Sequence, residues 1–409
     1  MGVIECISDP MTNSSIIPSV VSFLETPRKD SRKEISSLIP HPANVAVGQA
    51  AKKRIDSHPH HTFYHAKRVL GRSTLDPVIQ QVNAEVAFNI TTNVHDGIMF
   101  SVPQYDHSII SISPTQIGSY VVHHLMQITS AFLGHSNVMS AVICVPAKFT
   151  TAQRQATADA FRGAGVKVTR ILEEPTAAAL AYGLHLKEGV DYILVYDFGG
   201  GTLDVSLLQV TKGFADVMGS DGDDLLGGAD FDAAVATHLM KTYGSDVTSV
   251  QQALDVLMIE EDGLPCDFVA PLCTRSSFHT IGEQLKIQLS NYPKGGGVAN
   301  AYCVYPTSTT PTSLRDFCNS LTSRQLSLSS ETFDAAVQSL YDRSVLPVQR
   351  LLKDLDLKYT DIDEVVMVGG TTRMPQIRKL VQEVMKVNSL NTHIDPDLTV
   401  AYGAASVID

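Results

Sequence analysis

The sequence predicts an α/β fold, and three observations carry that expectation. Apolar runs of strand length alternate with segments of helical period: Ala141–Val145, then Thr150–Gly165, then Val166–Ile171, then a segment opened by Pro175. The run Tyr192-Ile-Leu-Val-Tyr-Asp-Phe198 meets three glycines and resumes as Leu203–Val210, which reads as strand, tight turn, strand. The chain has 409 residues, enough for two or more core-sized domains, and its 44% hydrophobic and 18% charged content is that of a globular protein.

Taken in order, Val3–Ile7 and Pro18–Leu24 read as two strands around a polar turn. Residues 45–72 hold a short strand, a polar stretch and the segment Phe63–Arg72. Residues 77–114 read as short strands with turns at Asn93–Gly97 and Pro103–Asp106. From Ser113 the period changes: Ile117, Val121, Leu125, Ile128 and Phe132 fall at helical spacing and Gly134 ends the run. Thr150 or Thr151 caps the next helix. Beyond the glycine turn, Phe214–Met218 alternates like a third strand and Asp221–Asp232 leads into a helix. Residues 246–262 and 278–290 are helical, with a break at Leu264-Pro-Cys266. Residues 291–325, rich in Gly, Ser, Thr and Pro, are expected to form hairpins joined by mobile loops. Ser329–Leu357 is helical with an interruption at Pro347, and Val365–Val368 is a buried strand. Arg373 begins a helix with Pro375 in its first turn, and Leu398–Ala405 is the last helix.

The chemistry concentrates at the glycine turn. Gly199, Gly200 and Gly201 lack Cβ atoms, so their N–H groups can approach an anion closely. Thr202 adds a hydroxyl, and the carboxylates of Asp197 and Asp204 suit a hydrated Mg²⁺. The competing reading is an ordinary Gly-rich hairpin. Leu172-Glu-Glu-Pro-Thr-Ala-Ala-Ala-Leu-Ala-Tyr-Gly-Leu184 upstream and Val365-Val-Met-Val-Gly-Gly-Thr-Thr-Arg-Met-Pro-Gln-Ile377 downstream change the balance. With Asp197-Phe-Gly-Gly-Gly-Thr202 between them, they resemble the nucleotide-binding domain of the seventy-kilodalton heat-shock chaperones, and the resemblance runs over nearly the whole chain.

That resemblance implies an actin-like, two-lobed ATPase fold, a duplicated ribonuclease H-like motif with a nucleotide cleft between the lobes. Lobe I would span residues 1–186 with a surface subdomain at 26–112, and lobe II residues 187–393 with one at 227–325; residues 394–409 would cross back to lobe I as a helix. It implies ATP or ADP with Mg²⁺, and slow hydrolysis by water coupled to lobe closure. Lys67, in Ala66-Lys-Arg-x-x-Gly-Arg72, and Glu174 match the residues that orient the water, while Asp197 and Thr202 serve the metal and γ-phosphate. Asp197, Glu174 and Asp204 would reach the metal through water. Gly199, Gly200, Gly201, Gly227, Gly228, Gly369, Gly370 and Asp397 would line the nucleotide, Glu283, Lys286 and Ser290 would hold ribose and adenine from one helix face, and Arg373 would stack on the base. Pro146 and Arg154 match the family's relay from nucleotide state to the rest of the chaperone.

Three departures stand out. Ala229 replaces a usual glutamate, and Ile287 replaces an arginine that stacks on adenine. The family's first Gly-Thr-Thr phosphate turn is expected to be absent, because nothing precedes Met1. A peptide-holding sandwich and lid are expected to be absent, so the chain resembles the microsomal, ATPase-core-only branch of the family, and its expected partners are nucleotide-exchange factors or other co-chaperones. A rival reading is a non-catalytic module that binds nucleotide or co-chaperones; a sugar kinase on the same fold is disfavoured by the chaperone motifs.

With 31 basic and 43 acidic residues the net charge is −12, which disfavours a nucleic-acid partner. No apolar run reaches membrane-spanning length. The six cysteines are scattered without a C-x-x-C pair, so reduced thiols in a cytoplasmic protein are expected, with the endoplasmic reticulum lumen as the alternative if the true start carries a signal. Asn13-Ser-Ser15 and Asn89-Ile-Thr91 would matter only in a secretory compartment. His58, His60, His61 and His65 read as a polar turn rather than a metal site.

Overall fold

The computed structural model describes residues 4–24, 44–55, 57–93, 97–103, 109–257, 270–292 and 296–407. The chain forms two compact units. The first holds Met1–Val190, Leu208–Val217 and Asp397–Asp409; the second holds Asp191–Leu207 and Met218–Pro396.

In the first unit, β1 (Val21–Phe23) pairs antiparallel with β2 (Val45–Val47); α1 (Gln49–Lys52) follows, and β3 (Thr62–Phe63) pairs with the other side of β1. The expected strand over Val3–Ile7 is not formed: residues 4–8 carry no regular structure, and Ile4 is exposed. After the single turn α2 (Ala66–Val69) comes α3 (Pro77–Glu85), a helix where strands were expected. The cause is local. Asp76 accepts the Val78 N–H as N-cap and Pro77 sits in the first turn, so the apolar Ile79 and Val82 are buried on one helical face. The expected strands appear later, as the antiparallel sheet β4 (Asn89–Thr92), β5 (Ile98–Pro103) and β6 (Ile109–Ile112). The turn at Asn93–Gly97 is closed by bonds between its end residues; its residues 94–96, like 104–106 of the next turn, lie outside the described residues. α4 (Pro114–Leu133) opens on a reciprocal Ser113–Gln116 cap and ends at left-handed Gly134. Its Ile117 and Tyr120 join an aromatic core in which Phe63 lies 4.9 Å from Phe88 and 5.7 Å from Phe100.

The rest of that unit is a β-α-β unit and one more helix. β7 (Ser140–Val145), α5 (Thr151–Gly163) and β8 (Lys167–Glu173) make a two-stranded parallel sheet, with Thr150 capping α5 in a reciprocal pair with Gln153. α6 (Glu174–Ala181) follows directly.

The second unit is built on β9 (Tyr192–Phe198), β10 (Leu203–Thr211) and β11 (Phe214–Asp223), the far end of whose hairpin groups with the first unit. α7 (Gly228–Leu257) bends at Tyr243; the remainder of the helix expected to residue 262 and the break at 264–266 lie outside the described residues. α8 (Arg275–Ser290) follows with Thr274 as cap. The region expected to hold hairpins joined by loops forms one long antiparallel hairpin of β12 (Val298–Pro306) and β13 (Leu321–Ser329), with the helix α9 (Leu314–Ser320) in its connection; residues 293–295 lie outside the described residues. Alternating buried Ala299, Ala301 and Cys303 face Leu326 and Leu328, while Asn300 and Tyr302 lie on the outer face of the sheet. α10 (Ser330–Ser344) and α11 (Leu346–Asp354) are separated at Val345, with Pro347 in the first turn of α11. β14 (Glu364–Val368) pairs parallel with β9, giving the sheet order β11-β10-β9-β14, and α12 (Pro375–Met385) closes the unit. The core runs continuously from Leu194 and Phe198 through Phe231 and Phe278 to Met385.

The final helix, α13 (Thr399–Ser406), packs against α6 in the first unit. A Cβ on Gly403 would lie 1.8 Å from the Ala177 carbonyl oxygen, so only glycine permits this approach.

The thiol expectation fails in the second unit. Cys273 and Cys303 form a disulfide across 5.0 Å of Cα separation, and Cys318 is also disulfide-bonded, while Cys6 and Cys144 are not in disulfides. The pairing is prepared by backbone bonds: Cys273 N–H donates to Val304 O and Val304 N–H to Pro271 O, which lays the approach to α8 alongside β12. Sequence spacing gave no hint of this because the partners lie 30 residues apart.

Candidate functional site

In the first unit, the site residues gather at the start of α6. Two adjacent glutamates take different partners. Glu173, at the N-cap position, meets Arg154 at 2.7 Å, and Glu174, the first residue of α6, meets Lys67 Nζ at 2.9 Å. The helix dipole favours an acid at this first turn, and Pro175 fixes the backbone there. Glu174 is 15% exposed and Lys67 62%, so the carboxylate is held inside while the ammonium reaches it from solvent. Lys67 stands on α2, whose entry is set by His65 in the left-handed region at φ 60°. Burial, with Arg68 adding to it, lowers the pKa of His65 to about 4, so this imidazole is neutral at ordinary pH.

Cys144, which the sequence did not single out, lies near this pair. Burial pushes its thiol up to about 12, with Glu174 reinforcing the shift and Lys67 opposing it. It is therefore a protonated, packed group. Arg154 also donates to Ala147 O at 2.8 Å and Phe149 O at 3.0 Å, which ties down the loop that follows buried Pro146. Among the described residues, no group of three or more His, Cys, Asp or Glu converges as a metal cage, which includes the described histidines of the 58–65 stretch.

In the second unit, three glycine segments far apart in sequence converge on one turn. Gly199 N–H donates to Thr202 O at 3.0 Å, closing the turn between β9 and β10. A Cβ on Gly227 would lie 2.4 Å from Gly201 N, and one on Gly369 would lie 2.4 Å from Phe198 O. The start of α7 is bonded onto the turn: Gly228 N–H donates to Gly199 O and Ala229 N–H to Gly200 O, while Gly227 N–H donates to Asp230. Thr371 Oγ1 donates to Gly199 O at 2.9 Å, placing the Gly369-Gly370 segment beside it. Gly200 is exposed and a Cβ there would meet nothing within 4 Å, so the middle of the turn is open. The Thr202 hydroxyl donates to Asp204 at 3.1 Å, and half-buried Asp197 is the last residue but one of β9.

α8 brings one more group to this place. Gly282 lets α8 approach α7, since a Cβ there would lie 2.9 Å from Asp232 O. One turn on, Lys286 is carried to Asp232 at 2.7 Å and to Gly228 O at 3.1 Å. Asp232 and Thr371 are thus site neighbours that sequence reasoning missed. Both lie inside quoted motifs, but neither has a local signal for its long-range partner. Other expected residues have local partners: the Ser290 hydroxyl donates back to Lys286 O, and Arg373 pairs with Asp395. Asp397 belongs to the first unit. Glu283 is half-buried and Ile287 is exposed on the same helix.

An α/β chain with a glycine turn between two strands, flanked by carboxylates and joined by two more glycine segments, has the build of a phosphate-handling protein. A family model described as Hsp70 protein matches residues 27–261 and 307–408, so the chain belongs to the Hsp70 family. Its fold is the actin-like ATPase fold of that family, and the chain is an ATP-binding domain of a heat-shock chaperone class. Family members of this kind bind ATP or ADP with Mg²⁺ and work with co-chaperones and nucleotide-exchange factors. No helix among the described residues is long and apolar enough to cross a membrane.

Proposed function

We propose that this chain binds Mg-ATP and Mg-ADP and hydrolyses ATP slowly, with Lys67 and Glu174 orienting the attacking water and lobe closure as the coupled motion. The observation that carries this reading is the 2.9 Å Lys67–Glu174 pair at the first turn of α6, which sets an ammonium beside a mostly buried carboxylate. The residues fit the group. Asp197 and Asp204 supply hard oxygen donors, Thr202 a hydroxyl, and open Gly200 a backbone to which a phosphate has access. The metal would be held through water and phosphate oxygens, and when bound it would neutralise charge on the transferred group. Lys286, Gly227, Gly228, Gly369 and Gly370 surround the same turn, and Pro146 with Arg154 would serve as the relay.

A second reading is a non-catalytic regulator that binds nucleotide or co-chaperones without efficient turnover. It is favoured by the N–H groups of Gly227, Gly228 and Ala229, whose bonds to Asp230, Gly199 and Gly200 leave fewer donors for phosphate at the start of α7. We also infer an oxidising compartment such as the endoplasmic reticulum lumen, because the Cys273–Cys303 disulfide is fully buried and such bonds are rare in reduced cytosol. The test of function pairs two measurements on wild type and Lys67→Ala: ADP affinity by calorimetry, and single-turnover hydrolysis. Lys67→Ala is expected to keep ADP affinity within about threefold and to slow hydrolysis by about 10²-fold or more. Equal turnover in both proteins sinks the catalytic reading, and ADP heat without any hydrolysis selects the regulator.

A further inference from the structure

The chain carries two Asn-x-Ser/Thr triplets, at Asn13 and at Asn89. Asn13 and Asn89 are exposed, and their side-chain amides make no hydrogen bond among the described residues. By contrast, Asn83 Oδ1 accepts from Ile90 N, Asn300 Oδ1 accepts from Gln325 and Ser327, and Asn391 Nδ2 donates to Glu364. Of the two triplets, the one at Asn89 is the more extended. Asn89 opens β4, an edge strand in the order β4-β5-β6, and Thr91 lies two residues on, on the same face of that strand. Ile90 between them is not a proline, so the triplet meets the acceptor rule. Asn13 sits instead at φ 54° inside a tight turn closed by the bond from Asp9 N–H to Ser14 O, with Ser15 third.

We propose that Asn89 is a site of N-linked glycosylation. The proposal rests on the oxidising-compartment reading above, because the buried Cys273–Cys303 bond and the glycan donor belong to the same kind of lumen. In the transfer, Asn89 Nδ2 displaces the lipid diphosphate from C1 of a lipid-diphosphate oligosaccharide. An N–C bond forms, the C1–O bond breaks, the lipid diphosphate leaves with the electron pair, and the amide gives up one proton. Carbohydrate at this position would shield β4, which is an edge strand among the described residues.

The test uses protein purified from its own source. One portion is alkylated before and after reduction to read the state of Cys273 and Cys303. A second is treated with peptide-N-glycosidase, which converts a glycosylated amide to the acid, and position 89 is read by peptide mass. The expected result is a disulfide that alkylates only after reduction and conversion at position 89 only after the enzyme. A chain driven through the secretory route with Thr91→Ala should lose that conversion and keep the disulfide and its melting temperature. An intact disulfide with an unmodified Asn89 overturns the glycan proposal alone. Free thiols at Cys273 and Cys303 in the native protein overturn the compartment reading and the proposal with it.

Discussion

The two units bury their interiors by different means. The second wraps large side chains around one sheet, with Tyr196, Phe198, Phe231 and Tyr341 in successive contact and the helices α7, α8, α10 and α12 contributing to the same core. The first divides its interior. An aromatic cluster around Phe63 joins β1, β3, β5 and α4, while Ala177, Ala178 and Ala179 of α6 are buried apart from it, against the glycine-bearing face of α13. A core of large groups loses stability mainly when atoms are removed, whereas a contact between small residues loses it when atoms are added. The sheets differ in the same sense. β9 lies between β10 and β14, but β7 and β8 form a parallel pair of only two strands, and parallel sheets are ordinarily covered on both faces and continued at the edges. The Lys67–Glu174 pair therefore sits on the more divided unit and the glycine turn on the more continuous one.

The sharpest way to break this contrast is at Gly403. Its replacement by valine would set a Cβ against the Ala177 backbone, so α6 and α13 must separate; the expected loss exceeds about 4 kcal/mol, beyond ordinary overpacking. Gly200→Ala, in open space on the second unit, should leave the melting temperature unchanged. If Gly403→Val melts with wild type in a calorimetric scan, close small-residue packing does not hold α13 in place.

The second unit should respond instead to its covalent tie. Joint replacement Cys273→Ala and Cys303→Ala opens a loop of 30 residues, and the expected cost is about 3–4 kcal/mol from the freed unfolded chain. Denaturant unfolding followed by probes in each unit should show the loss in the second unit only. An equal shift in both probes would mean that the chain unfolds as one cooperative body.

A smaller effect belongs to the first unit and to pH. His65 falls from its ordinary 6.5 to about 4 in the folded protein. The unfolded chain binds the proton first as pH drops, so the stabilisation is fully present above about 6.5 and is lost as pH falls toward about 4, by about 2–3 kcal/mol at most. His65→Asn, which tolerates the left-handed backbone, should flatten the slope over that window. An unchanged slope in this variant assigns the pH dependence to another group.

The sequence by itself determined what is encoded within a few residues. The change of period at Ser113, the Thr150 cap, the stop at Gly134 and the strand–glycine–strand turn at Gly199 all formed where residue type and period placed them, and the break expected at Pro347 falls two residues earlier, at Val345. The three motifs also sufficed to indicate the Hsp70 family, which the match over 27–261 and 307–408 bears out. The start of α3 was legible too, in Asp76-Pro77, but the β-branched Val78, Ile79 and Val82 satisfied a strand reading as well, and the cap decided between them. Other features had no local signal. The Cys273–Cys303 bond, the Lys286–Asp232 and Arg373–Asp395 pairs and the need for glycine at 403 depend on segments brought together by the path of the chain. Caps and periods act over about one turn of helix, whereas a side chain's partner across 20 to 230 residues is chosen by which faces the core buries, and that choice exists only in the folded molecule.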